Sequence, residues 1–174
     1  MYDEAKWDHP LAMAGSENRA PVLLAALLST PEPEGKRALL TGWFSVCEAL
    51  RPWAVELREQ ARLAGYFTDA PDEPVIEAPV TVYRGAWEDD DTSIAISWTL
   101  KRETAEFFCR MISGPRGAFL GMHREDVVPH VYQATATEVL GYLNGRDEAE
   151  VVVGGVEDVE PIAALVTVPK EVAG

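Results

Sequence analysis

The apolar positions of this chain change period about two-fifths of the way along. In the first part they recur at helical spacing. From Lys36 to Leu50, the residues Leu39, Leu40, Trp43, Phe44, Cys47 and Leu50 form one apolar stripe, which predicts an amphipathic helix. Pro52 breaks or restarts it, and "WAVELREQARLAG" continues with good helix formers to Gly65, a C-cap residue. Pro21 opens a shorter helix through "VLLAALLS", and "TPEPEG" reads as a turn or linker. The proline- and acid-rich "TDAPDEPVIEAP", Thr68 to Pro79, reads as a connector.

Beyond it the pattern becomes that of short strands: "VTVYRG" (Val80–Gly85), "IAISWT" (Ile94–Thr99), "AFLGM", "HVYQATA", "EVVVG" and "IAALVTV". One amphipathic helix, "KRETAEFFCRM", and a turn, "SGPRG", lie among them. Strands without regularly interleaved helices argue against a doubly wound parallel sheet. The fold class predicted is α+β. A helical N-terminal region, 1–70, precedes a mostly antiparallel sheet core, 71–174, the two forming one compact unit. Trp43, Phe44 and Trp53 give the helices apolar surface to pack on the sheet. A lid, an acceptor-docking surface or a dimer contact are the other roles open to this region.

Composition narrows the function. Hydrophobic residues make up 47% of the 174, as in a globular protein. Fifteen basic against 29 acidic residues leave a formal charge of −14, which repels phosphate backbones and disfavours nucleic acid as a partner. Cys47 and Cys109 are the only cysteines and form no CxxC or disulfide framework; buried thiols in a reducing compartment are expected. The opening "MYDEAKWDHP" is acidic where a signal peptide is basic, and "APVLLAALL" is too short to span a bilayer. A cytoplasmic protein without membrane contact is the expectation. His9, His123 and His130 show no metal-ligand spacing, so no metal is expected. "VVVGGVED" lacks the GxGxxG pattern of redox dinucleotide sites.

Three local features carry candidate chemistry. Arg84 in "VYRG" presents a planar, always charged fork suited to phosphate or carboxylate, or else pairs with a nearby acid. In "SWT", alternation puts Ser97 and Thr99 on one face and Trp98 on the other. The two hydroxyls suit a carboxylate or a sugar, and Thr99 also suits a helix cap. In "GRDEAEVVVGG", Glu148 and Glu150 share a face if the strand begins at or just before Glu148. One carboxylate there would stabilise a sugar oxocarbenium ion while the other activates a nucleophile; the alternative is a solvated strand entrance.

In their order and context these features resemble the mono-ADP-ribosyltransferase superfamily, in its Arg–Ser–Glu class with an E-x-E motif. The resemblance rests on "VYRG", "ISWTLKRETAEFF" and "GYLNGRDEAEVVV" and covers about Val80 to Val168. It implies a two-sheet catalytic core and an enzyme that takes NAD as substrate, releases nicotinamide and transfers ADP-ribose to a protein side chain, arginine being the acceptor associated with this pattern. Arg84 would hold the NAD phosphates or the nicotinamide ribose. Ser97 would hydrogen-bond Glu150, which would bind the ribose 2′-hydroxyl and stabilise the oxocarbenium ion. Glu148 would activate the acceptor. Thr99, Trp98, Phe107 and Phe108 are further candidates on the NAD side. Tyr142, Asn144 and Arg146, in "LGYLNGR", lie where the family has its acceptor-contacting loop. The chain departs from the family's commonest Ser-Thr-Ser at Ser97-Trp98-Thr99, and it sets four acids, Glu88 to Asp91, just after Arg84, with Lys101 and Arg102 as nearby cations. Two other functions stay open: a NAD glycohydrolase using the same site on water, and a catalytically silent acidic interaction or inhibitor protein of the same fold.

Overall fold

The computed structural model describes residues 10–119, 124 and 126–164. The protein has a mixed α+β fold, with N-terminal helices and a mostly antiparallel sheet. Helices α1 (Pro10–Met13), α2 (Arg19–Ser29), α3 (Pro33–Trp43) and α4 (Ala54–Ala64) come first. Pro33 opens α3, where its fixed φ and missing N–H cost nothing. Gly65 ends α4 at φ +73°, a conformation open to glycine. The apolar stripe predicted from Lys36 to Leu50 is helical only to Trp43. A 3-10 turn, Phe44–Val46, follows, and Ala49 sits at φ +52°. The chain leaves the helix there to run past the sheet.

The sheet contains β1 (Phe67–Thr68), β2 (Val80–Trp87), β3 (Ser97–Thr99), β4 (Pro129–Leu143) and β5 (Glu150–Ala164). Its order is β1-β4-β2-β3-β5, and β4 also pairs with β5, so the pairings close into a ring. A single bridge, Tyr83 to Thr99, joins β2 to β3. Among the described strands, only β1 runs parallel to its neighbour, β4. Helices α5 (Arg102–Ser113) and α6 (Pro115–Phe119) lie between β3 and β4 in the chain.

Several strands differ from the expectation. β2 runs on to Trp87, whereas β3 begins only at Ser97, because Thr92–Ile94 forms a 3-10 turn capped by Asp91. The segment expected as strand "AFLGM" is helical through Phe119, with Pro115 as its first residue; its remaining residues lie outside the described ones. "EVVVG" and the first residues of "IAALVTV" are one strand, not two. Pairing with β4 carries β5 through Gly154, Gly155 and Pro161. The register steps from Thr135↔Glu157 to Gln133↔Glu160, so β5 has an extra residue there, and Asp158 sits at φ +51°. Such a bulge bends a strand without ending it.

The helices share a core with one side of the sheet. Leu23, Leu27, Leu40, Phe44 and Leu57 are fully buried in one cluster with Phe67, Ile96, Leu140, Leu143 and Val152. Each buried side chain of this size contributes about 1.5–3 kcal/mol. Arginines of α4 add polar fastening: Arg58 donates to the carbonyls of Ile94, Ala95 and Val153, and Arg62 forks onto Glu138. A second cluster, containing Val82, Trp98, Ala134, Val151 and Val153, fills the space within the strands. On β2, α5 approaches so closely that a Cβ on Gly85 would meet the Ala105 carbonyl oxygen at 2.4 Å. Among the described residues, no helix is long and apolar enough to cross a membrane.

Candidate functional site

Three strands bring Arg84, Ser97 and Glu150 together. In the antiparallel ladder, Thr99 stands opposite Glu150 and Ser97 opposite Val152. All four side chains therefore share a face, and Ser97 lies diagonally across from Glu150. Its Oγ donates to Glu150 Oε1 at 2.5 Å. Its backbone carbonyl accepts from Arg84 Nη1, also at 2.5 Å. Ser97 thus links the arginine of β2 to the carboxylate that opens β5. Trp98, opposite Val151, points the other way: it is 2% exposed, and its indole N–H is spent on the Ala95 carbonyl. Thr99 is buried and structural in its contacts. Its hydroxyl donates to the Glu148 carbonyl at 2.6 Å and accepts from the Lys101 N–H.

The site is electrostatically loaded. Glu150 is 9% exposed, and burial, reinforced by the charge of Glu148, pushes its carboxyl up to about 6. The Ser97 hydrogen bond, Arg146 and Arg84 act the other way. Burial lowers Arg84 from its ordinary value, while Asp90 and Glu150 offset part of that and Arg51 adds to it. Ser97 thus contacts both groups, the Arg84 guanidinium through its carbonyl and the Glu150 carboxylate through its hydroxyl, and each group feels the other's charge.

The glutamate pair is arranged differently from the expectation. β5 begins at Glu150, not at or before Glu148, and both Asp147 and Ala149 adopt positive φ, +56° and +47°. Strand alternation therefore does not bring the two carboxylates together. The connection 144–149 leaves Glu148 near enough for its charge to be felt by Glu150, and it is pinned throughout. Asp69 accepts from the N–H groups of Asn144 and Gly145; Asn144 donates to Glu73 and accepts from the Ala149 N–H; Lys101 pairs with Asp147 at 2.6 Å. Glu148 is itself paired, its Oε1 lying 2.6 Å from Arg146 Nη2, while Arg146 Nη1 donates to the Ser45 carbonyl at 2.6 Å.

The residues expected in an acceptor loop separate accordingly. Tyr142 lies on β4, 4% exposed, with burial and then its bond to Glu73 pushing its phenol up to about 12. Asn144 spends its side chain within the loop. Arg146 alone of the three bonds Glu148, and its charge is felt at Glu150. Phe107 is 56% exposed on α5, edge-on to Phe108, not packed into the cluster. Lys101 holds the loop, and Arg102 pairs along its own helix with Glu106.

Other neighbours had no local signal in the sequence. The turn after α3 supplies Ser45 to Arg146, and Cys47 lies close enough to Glu150 to feel its charge; burial pushes this thiol up to about 12. Arg51 pairs with Asp90 at 3.3 Å. Asp90, Arg84, Trp87, Ile112 and Arg124 line an open hollow of about 440 Å³. The acidic run after Arg84 is thus partly neutralised: Asp90 lies between Arg51 and Arg124, Asp89 pairs with Arg124, and Asp91 caps a turn. Among the described residues, no group of three or more His, Cys, Asp or Glu side chains is placed to hold a metal ion. His9 and His123 lie outside the described residues.

Fold and site define a mixed α+β protein whose sheet carries an Arg–Ser–Glu cluster beside a short, fastened loop. No family model, no curated protein and no solved structure matches the chain.

Proposed function

We propose that this protein cleaves NAD at the nicotinamide ribose and transfers ADP-ribose to a protein side chain. The observation that carries the reading is the Ser97 hydroxyl donating to Glu150 while the Ser97 carbonyl holds Arg84. Arg84, at the hollow that also contains Arg124, would take a phosphate or the ribose of the dinucleotide. Glu150 would accept from the ribose 2′-hydroxyl. As the C1′–N bond lengthens and positive charge develops on the sugar, the carboxylate is already oriented by Ser97, so stabilisation grows toward the transition state. With its pKa near 6, Glu150 is roughly nine-tenths ionised at pH 7.

A second reading, a NAD glycohydrolase, has one observation in its favour. Glu148, which would activate the acceptor, is already ion-paired with Arg146. While that pair persists, an outside side chain must displace Arg146 to reach Glu148, whereas water needs no such displacement. Incubating the purified protein with isotopically labelled NAD and cell lysate separates the two. Transfer predicts label on lysate proteins in proportion to nicotinamide released. Hydrolysis predicts free ADP-ribose, with lysate proteins blank.

A further inference from the structure

We infer that Arg146 is itself an acceptor, a self-modification site placed at the activating carboxylate. The inference rests on the NAD reading above and names a substrate for it. A guanidinium is a poor nucleophile until a base takes one of its protons. Arg146 Nη2 lies 2.6 Å from Glu148 Oε1, and its charge is felt by Glu150. The side chain is about half exposed.

The other arginines near the site are committed elsewhere: Arg84 to the Ser97 carbonyl, Arg51 to Asp90, Arg58 to sheet carbonyls and Arg102 to Glu106. Nor is Arg146 loosely tethered. Its Nη1 is held by the Ser45 carbonyl, and the surrounding loop is fixed by Asp69, Asn144 and Lys101. Holding nucleophile and base together in this way lowers the entropy cost of attack.

The step balances without a further reactant. Nη2 attacks C1′ of the nicotinamide ribose. The C1′–N bond breaks, and its electron pair neutralises the pyridinium, so nicotinamide leaves uncharged. A new Nη2–C1′ bond forms, and the displaced proton passes to Glu148 and then to solvent. The product retains a guanidinium but adds a bulky diphosphate. That separates Arg146 from Glu148 and from Ser45, and each chain reacts once.

The test is to incubate full-length protein with NAD alone, measure intact mass and nicotinamide, and map the label by peptide analysis. The expected result is one ADP-ribose per chain on the peptide containing Arg146, absent from Glu150→Gln and lost from that peptide in Arg146→Lys, with the folding of both variants checked by thermal melting. Nicotinamide release without label, or with label only on other residues, overturns the inference and leaves NAD cleavage standing. Equal labelling of wild type and Glu150→Gln by free ADP-ribose overturns it as well, because the product is then chemical glycation. Absence of nicotinamide release removes the NAD reading, and the inference with it.

Discussion

Glu150 keeps a carboxylate in a nearly buried place, and that has a cost in stability. Its pKa rises from 4.5 to about 6 on folding, so the native state binds the proton more tightly than the unfolded chain. The stabilisation from that proton is complete below about 4.5 and is lost as pH rises through about 6. At about 1.4 kcal/mol per pH unit, it amounts to about 2 kcal/mol. Glu150→Gln keeps an oxygen for Ser97 and carries no charge. It should be more stable than wild type above pH 6 by on the order of 1–2 kcal/mol, with the difference vanishing in acid; denaturant melts at several pH values check this. Ser97→Ala has the opposite electrostatic sign. The lost hydrogen bond raises the Glu150 pKa further, so the acid limb of nicotinamide release should move upward from about 6, and activity at pH 6 should fall more than at pH 8. An unshifted limb would show that Ser97 does not tune Glu150.

At this scale the sequence was readable where ladder geometry governs. Ser97 and Thr99 share a face and Trp98 opposes them because β3 is regular, however short. Glu148 and Glu150 were harder. Their arrangement comes from two positive-φ residues, Asp147 and Ala149; Asn144, Gly145 and Asp147 signal a turn, but Ala149 gives no sign that it delays the strand to Glu150.

At the scale of elements, the position of Arg84 depends on how α5 sits on β2. Gly85 has no room for a side chain: a Cβ would meet the Ala105 oxygen at 2.4 Å and the Cys109 nitrogen at 2.9 Å. Gly85→Ala should therefore push helix from strand, costing roughly 1–3 kcal/mol and lowering nicotinamide release by displacing the neighbouring Arg84. A melting scan with a rate assay tests both effects. Ala49 is the contrary case, exposed and at φ +52° after the turn that supplies Ser45. Left-handed backbone costs an L-residue about 1–2 kcal/mol, whereas glycine favours the unfolded chain by roughly 0.4–1 kcal/mol through its added entropy. Ala49→Gly should accordingly stabilise by roughly 0.5–1 kcal/mol. The helices of the first third were legible in part: the stripe from Lys36 stays helical only to Trp43, and α3 starts at Pro33, inside the expected turn "TPEPEG". The length of β5 was not, since Gly154, Gly155, Asp158 and Pro161 all signal a break, and only pairing with β4 carries the strand through them.

Across the whole molecule, helices and sheet depend on each other. Phe67, Ile96, Leu140, Leu143 and Val152 are buried against Leu27, Leu40, Phe44 and Leu57. A fragment beginning at Tyr66 would expose that apolar face and should lose cooperative unfolding; a sharp melt from such a fragment would show that the sheet stands alone. The same packing brings the 44–51 segment to the site, with Ser45 on Arg146 and Arg51 on Asp90. Those contacts span a long stretch of chain, which is why no local motif announced them. The net charge of −14 makes the hollow with Arg84 and Arg124 a local exception on an acidic chain, and salt should weaken any anion held there.

We propose that the Glu150 carboxylate, oriented by Ser97, would break the nicotinamide–ribose bond of NAD. Nicotinamide release by wild type and Glu150→Gln, measured side by side with folding verified, tests it most directly. Steady release by wild type and a loss of about 100-fold or more in the variant are expected. Equal release from both proteins, or none from wild type even with cell lysate present, would contradict it and leave an acidic interaction protein as the better description.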